Sequence, residues 1–213
     1  MELLFAFGNN TNPYINLATE WELVNNNKED EICLYLWQNH NTVVIGANQN
    51  PYLELNLDNI KKDNVNIARR RTGGGCVFHD SGNLNFSFIM DKKHYDIKKQ
   101  LSVIQIGLKS IGIQTEISGR NDMTSNGKKF SGNAFYQSQN TCLHHGTLLI
   151  STDFSKMKNY LMPRPSKLKK NGVSSVESRV INLSDIMPCT PDSISILLKK
   201  AFEEVYQKKA SKL

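Results

Sequence analysis

Cysteine is scarce and scattered in this sequence. The four present, Cys33, Cys76, Cys142 and Cys189, form no CxxC pair, so a zinc cluster has no support. The opening "MELLFAFGNN" has neither a basic n-region nor a long apolar h-region, and it reads as a first strand. With no secretory signal, reduced thiols in a cytoplasmic setting are expected, an organelle being the alternative. No run approaches the ~20 apolar residues of a membrane span. The spacings GxxxxGK[ST] and GxGxxG are also missing, which excludes a P-loop and a dinucleotide fingerprint. There is no internal repeat, no low-complexity linker and no RNA-reading motif, and the basic residues are scattered, so nucleic acid is not the expected partner. Acidic residues are the scarcer charge, 20 against 26 Lys and Arg, for a net charge of +6. That modest excess favours anionic partners such as a nucleotide or an acidic protein surface.

What is present is an ordinary globular composition: 213 residues, 39% hydrophobic and 22% charged, enough for one substantial domain. "ELLFAF", "ICLYLWQ", "NTVVIG" and "VNIARR" read as strands. "NPYINLATEWELVNN" places Ile15, Ala18, Trp21 and Val24 at helical spacing, and "YLELNLDNIKKDN" reads as a short helix. "CVFHD" and "LNFSFIM" alternate as a hairpin around Ser81-Gly82-Asn83. "YDIKKQLSVIQIGLKSIG" reads as the central helix, ending at Gly112. A strand "IQTEIS", a loop "GRNDMTSNG", and the strands "KKFSGNAFYQS" and "CLHHGTLLIS" follow. "RPSKLKKNGVSSVESRVINL" is polar and basic, as expected of a surface-wrapping segment. A closing helix is signalled by Thr190 as cap, Pro191 in its first turn, and a stripe of Ile194, Leu197, Leu198, Ala201, Phe202, Val205 and Tyr206. Mixed strands and helices predict an α/β (α+β) fold, with a mixed, largely antiparallel sheet flanked by helices.

Three stretches carry chemistry. "RRRTGGGCVFHDSGNLNFSF" runs from Arg69 to Phe88. A triple glycine exposes backbone N–H groups that can wrap an anion, and the arginines add bidentate donors. "GRNDMTSNGKKFSGNAF" offers Asp122 for a metal or ribose hydroxyl, and Lys129 as a positive clamp on developing charge. In "CLHHGTLLI", His144 and His145 are neighbours on a strand, so they point to opposite faces and do not share one ion.

Together "LATEWELV", "LWQNHNTVVIGANQNPYLE", "ARRRTGGGCVFHDSGNLNFSF", "SGRNDM", "KKFSGNAFYQS" and "HHGTLL" resemble, in order and spacing over essentially the whole chain, the lipoate–protein ligase family, within the biotin and lipoate protein ligases. The resemblance implies residues 1–213 as one catalytic domain, without the C-terminal accessory domain of longer members. It implies ATP and Mg2+ use, formation of lipoyl-AMP from lipoate, and transfer of the lipoyl group to a lysine of lipoyl domains (E2 subunits of 2-oxoacid dehydrogenases or the glycine-cleavage H protein), with a separate accessory chain as a further partner. It implies Lys129 as the catalytic lysine, contacting both lipoate and nucleotide. Arg70, Gly75, Cys76, Val77, Phe78, Asn121 and Asp122 then fall at the nucleotide, with Asp122 on the metal side. Gly74, His79 and His145 fall at the lipoate, and Trp37 and Val44 at its tail. Two alternatives stand beside it: an octanoyl or lipoyl transferase working through Cys142 as a thioester nucleophile, and an inactive lipoate- or adenylate-binding module. The final Ser211-Lys212-Leu213 matches a peroxisomal address by composition alone.

Overall fold

The computed structural model describes residues 1–119, 121–162 and 179–213; most of the stretch read as surface-wrapping lies outside the described residues. Among them, eleven strands form two sheets. The larger takes its strands in the order β11 (Ser211–Lys212), β1 (Glu2–Phe7), β2 (Glu31–Trp37), β6 (Asn83–Asp91), β10 (Thr141–Leu149), β9 (Lys128–Gln137), β8 (Asp122–Ser125) and β7 (Glu116–Ser118). Its β11–β1–β2 edge is parallel and every other pair antiparallel. The smaller sheet sets β3 (Thr42–Ile45) between β4 (Asn66–Arg69), parallel, and β5 (Val77–His79), antiparallel. The expected mixed, largely antiparallel sheet with flanking helices is what the chain adopts.

The α-helices of the described residues are α1 (Pro13–Asn26) and α4 (Ile97–Lys109), the short α2 (Pro51–Glu54), α3 (Leu57–Lys62) and α5 (Phe154–Tyr160), and the closing α6 (Pro191–Tyr206). Caps fix where they start. Asn12 accepts from the N–H groups of Tyr14 and Ile15, and Asp96 from that of Lys99. Thr190 and Ser193 cap each other reciprocally at α6, which ends on Gln207 in the left-handed conformation.

The period of two along the central strands gives the large sheet two unlike faces. Leu34, Phe88 and His144 stand in one cross-strand row. With Leu36, Phe86, Met90, Cys142 and Leu148 they face α4 and α6, whose Leu101, Ile104, Leu108, Leu198 and Phe202 complete the main core. Burying a side chain such as Phe202 stabilises the fold by roughly 1.5–3 kcal/mol. The opposite row is Tyr35, Ser87 and His145, and beyond it Trp37, Asn85 and Thr147. That face turns polar toward one end, and α1 lies across it.

Two sequence readings change, and one element is added. The strands read as a hairpin do not pair: β5 joins β3, whereas β6 joins β2 and β10. Residues 80–82 instead bridge the two sheets, and the N–H groups of Ile150 and Ser151 close on the Gly82 carbonyl. Asp122–Ser125, read as loop, is β8, with Met123 and Ser125 turned inward. Phe154–Tyr160 is a helix that buries Met157 and Tyr160 against the small sheet.

Candidate active site

Between the large sheet, the small sheet and α1 lies a cavity of about 370 Å3, within the size range of small-molecule sites. Arg70, Gly74, Gly75, Cys76, Val77 and His79 line it from the small sheet and its glycine loop. Asn121, Asp122, Lys129 and His145 line it from the large sheet, with Trp37 and Val44 at the wall expected to hold an acyl tail. Residues separated widely in sequence thus meet at one place.

The loop from Arg70 to Cys76 joins β4 to β5, and its shape depends on the arginine inside it. Arg70 is 8% exposed. Its Nε donates to Thr72 Oγ1 (3.1 Å), its Nη1 to the Val44 carbonyl (3.3 Å), and its Nη2 to the carbonyls of Gly73 (2.8 Å) and Gly75 (2.7 Å). These contacts occupy four of the five N–H donors of the guanidinium. Burial lowers its pKa, and the nearby Cys76 and Glu20 oppose that shift. With the carbonyls drawn toward Arg70, the N–H groups of Gly73, Gly74 and Gly75 donate to no acceptor among the described residues. Gly74 has φ +97°, and a Cβ on Gly46 would sit 2.2 Å from the Gly74 carbonyl oxygen, so both positions require glycine. The outcome is a curl of free backbone donors at the cavity, the arrangement that binds anions. The flanking arginines do other work: Arg69 Nη1 donates to the carbonyls of Gly46, Ala47 and Gln49, and Arg71 lies 4.1 Å over the Trp21 ring.

On the large-sheet wall, Lys129 Nζ pairs with Asp122 Oδ1 at 2.7 Å; both side chains are about half-exposed. A Cβ on Gly132 would meet Lys129 Nζ at 3.0 Å, so the ammonium lies directly over that glycine. The Lys129 backbone is held by the Arg179 carbonyl and the Ile181 N–H. Asn133 holds the Asn121 carbonyl through both its backbone and side-chain N–H groups.

The histidines divide between the faces, as strand alternation requires. His144 is fully buried among Phe86, Phe88 and Phe135, between the side-chain amides of Gln100 and Asn133. Burial pushes its pKa down to about 3. His145 faces the cavity wall, its Nδ1 2.8 Å from Glu20 Oε1 and its Nε2 2.7 Å from Thr72 Oγ1. His79 accepts at Nδ1 from Asn39, and its Nε2 has no partner among the described residues. Burial is the main cause, with the nearby Arg70 guanidinium adding to it, and its pKa is lowered to about 3.

One candidate residue lies elsewhere, and another turns its ring away. Phe78 alternates with Val77 and His79, so its ring points to the far side of the small sheet, 5.3 Å from the Tyr160 ring, and only its backbone stands between two residues that line the cavity. Cys142 belongs to the main core, fully buried on the face of β10 opposite His145, and burial raises its thiol pKa. A thiol that is buried, protonated and turned from the cavity cannot attack a substrate there. Conversely, Glu20, Asn16, Asn39 and Thr72 were singled out for no role, yet they are buried around the cavity and hydrogen-bonded. The one available signal was Asn16 and Glu20 spaced i, i+4 on α1.

The Lipoyl protein ligase A/B catalytic domain model matches residues 12–203. The chain is 45% identical over 204 residues to lipoate-protein ligase A of Bdellovibrio bacteriovorus, covering 93% of this chain and 60% of that relative's length. The structure of P. falciparum LipL1 in complex with lipoate is 36% identical with a TM-score of 0.85, covering 96% of this chain and 62% of that one. A bi-partite lipoate protein ligase with its E2 lipoyl domain from Thermoplasma acidophilum is 25% identical with a TM-score of 0.89, covering 100% and 88%. A lipoate-protein ligase A bound with ATP is 25% identical with a TM-score of 0.85, again covering 100% and 88%. The chain therefore belongs to the lipoyl protein ligase A/B catalytic domain family.

Proposed function

We propose that this chain is the catalytic module of a lipoate–protein ligase. The observation that carries the reading is the shared cavity, in which Lys129 and the free N–H groups of Gly74 and Gly75 line one space. Two anions, a carboxylate and a nucleoside triphosphate, repel each other in water. A fixed cation and a curl of backbone donors offset that repulsion and hold the pair for reaction.

The first step is in-line displacement. A lipoate carboxylate oxygen bonds to the α-phosphorus of ATP, the bond to the bridging oxygen breaks, and pyrophosphate leaves with its electron pair. The product is lipoyl-AMP. Lys129 exchanges Asp122 for the carboxylate and the α-phosphate and stabilises the charge gathering there. In the second step the neutral ε-amine of a carrier lysine attacks the acyl carbon, the amine proton is released, and AMP departs. The carrier is a lipoyl domain, from an E2 subunit or the H protein, and a separate accessory chain is a further partner. Arg70 serves the nucleotide by shaping the glycine loop.

Mg2+ fits the donors present. Asp122 is the one carboxylate lining the cavity among the described residues, and one or two carboxylates plus phosphate oxygens are the usual Mg2+ environment. Asp122 would hold the ion, and the ion would neutralise charge on the phosphates. The described cluster of three metal-ligand-type side chains, Asp30, Asp91 and His94, lies outside the cavity, where Lys93 Nζ already pairs with Asp30 and Asp91.

The Cys142 transferase reading is not retained, because the thiol faces the core. No described helix is long and apolar enough to cross a membrane, in keeping with a cytoplasmic location. The test is lipoate-dependent exchange of labelled pyrophosphate into ATP. Wild type should catalyse it, and Lys129→Ala should lose about 100- to 1,000-fold, the usual cost of removing one transition-state donor. Undiminished exchange in the variant would remove Lys129 from its role. Binding of both ligands without exchange would instead identify an inactive binding module.

A further inference from the structure

A line of hydrogen bonds runs from the buried interior of α1 to the glycine loop. Trp37 Nε1 donates to Ser87 Oγ (3.0 Å), and Ser87 Oγ donates to Glu20 Oε1. His145 Nδ1 meets the same Glu20 oxygen at 2.8 Å, and His145 Nε2 meets Thr72 Oγ1 at 2.7 Å. Arg70 Nε donates to Thr72 Oγ1, while Arg70 Nη2 holds the Gly73 and Gly75 carbonyls. Glu20 is 4% exposed and does not line the cavity; His145 and Arg70 do.

Glu20 Oε1 is the shared acceptor of this line, with Ser87 O–H and His145 Nδ1–H both pointing at it. With the ring proton on Nδ1, Nε2 takes the Thr72 hydroxyl hydrogen and the Thr72 oxygen accepts from Arg70 Nε. In the other tautomer the Nδ1 lone pair would face the Glu20 oxygen at 2.8 Å with no proton between them. A buried carboxylate also requires compensation, and the buried guanidinium provides it two side chains away.

We propose that Glu20 is a positioning residue for the nucleotide half of the site: through His145 and Thr72 it fixes the orientation of Arg70 and so the anion-binding curl at Gly73–Gly75. It touches neither substrate. The activity side of this proposal rests on the ligase reading above, whereas the tautomer does not.

The test combines two measurements. Two-bond 1H–15N correlation of the His145 ring should give a single Nδ1–H tautomer in wild type. Glu20→Ala should give a mixture, and Glu20→Gln, which keeps a carbonyl acceptor, should restore the wild-type pattern. In steady-state assays Glu20→Ala should raise the KM for ATP about tenfold, the effect of losing one good hydrogen bond's worth of binding, with the lipoate KM moving less than about threefold. Glu20→Gln should stay within about threefold for both. Thr72→Val cuts the line downstream without removing a charge, and it should raise the ATP KM as Glu20→Ala does, which keeps the test decisive if Glu20→Ala fails to fold. An unchanged ATP KM in both variants, or equal rises for ATP and lipoate, would overturn the proposal, as would an Nε2–H tautomer in wild type. If wild type forms no lipoyl-AMP, the ligase reading falls, and the tautomer and direct ATP-binding measurements still judge Glu20.

Discussion

Acidification should destabilise the protein through His79 by an amount that follows from its burial. The ring is 3% exposed, accepts from Asn39 and lies near the Arg70 charge, so its pKa is lowered from 6.5 to about 3. The folded state thus holds His79 neutral, while the unfolded chain takes up a proton as the pH falls through 6.5. The sign is fixed: the contribution is whole above pH 6.5 and is lost progressively toward pH 3. Between pH 7.5 and pH 5.5 the loss is about 1.4 kcal/mol for this one group. For a domain of this size that corresponds to roughly 3–6 °C in Tm. Other groups titrate over the same range, so the measurement is a difference. Differential scanning calorimetry at both pH values should show the wild-type Tm falling by about 3–6 °C more than that of His79→Asn, which keeps an acceptor toward Asn39 and carries no titrating ring. Equal falls in the two proteins would mean that His79 is not held neutral, and the description of the cavity's buried end would be wrong.

Two further outcomes follow from side-chain placement. Gly146→Ala puts a Cβ 2.5 Å from Phe86 Cζ and 2.8 Å from both Asn133 Oδ1 and the Gly132 carbonyl oxygen; chemical denaturation should register a loss of about 1–3 kcal/mol. Cys142→Ala empties a small core volume opposite the cavity, so thermal denaturation should show a loss of order 1 kcal/mol while lipoyl transfer is unchanged; abolished transfer would return the cysteine to the chemistry.

The parts of this fold readable from sequence are those whose signals are local. The closing helix of sixteen residues carries its proline and its apolar stripe, with its cap one residue before, and "CLHHGTLLI" shows its alternation directly. The glycine loop and Lys129 were legible because residue type alone limits what they can do. What stayed hidden depends on distant partners. Helix α1 looks apolar along Ile15, Ala18, Trp21 and Val24, yet Ile15 and Ala18 are exposed, and beside Val24 the helix buries the polar Asn16 and Glu20. Glu20 is drawn inward by Ser87 and His145, which lie 67 and 125 residues away, and no window of sequence contains them. The misread hairpin has the same origin: strand periodicity sets which face a residue takes, but not which strand lies alongside, and "CVFHD" and "LNFSFIM" serve different sheets. Arg70 reads as an exposed anion binder beside glycines; only the folded loop shows most of its donors turned to backbone carbonyls.

The most direct measurement is the intact mass of an acceptor lipoyl domain incubated with this chain. Presented with lipoate, ATP and Mg2+, or with preformed lipoyl-AMP alone, the domain should gain one lipoyl group on a single lysine. It should gain that group about 100- to 1,000-fold more slowly when Lys129→Ala replaces the wild type in the ATP reaction. An acceptor whose mass is unchanged in both wild-type reactions would contradict the proposal that this cavity joins a carboxylate to AMP and passes it on.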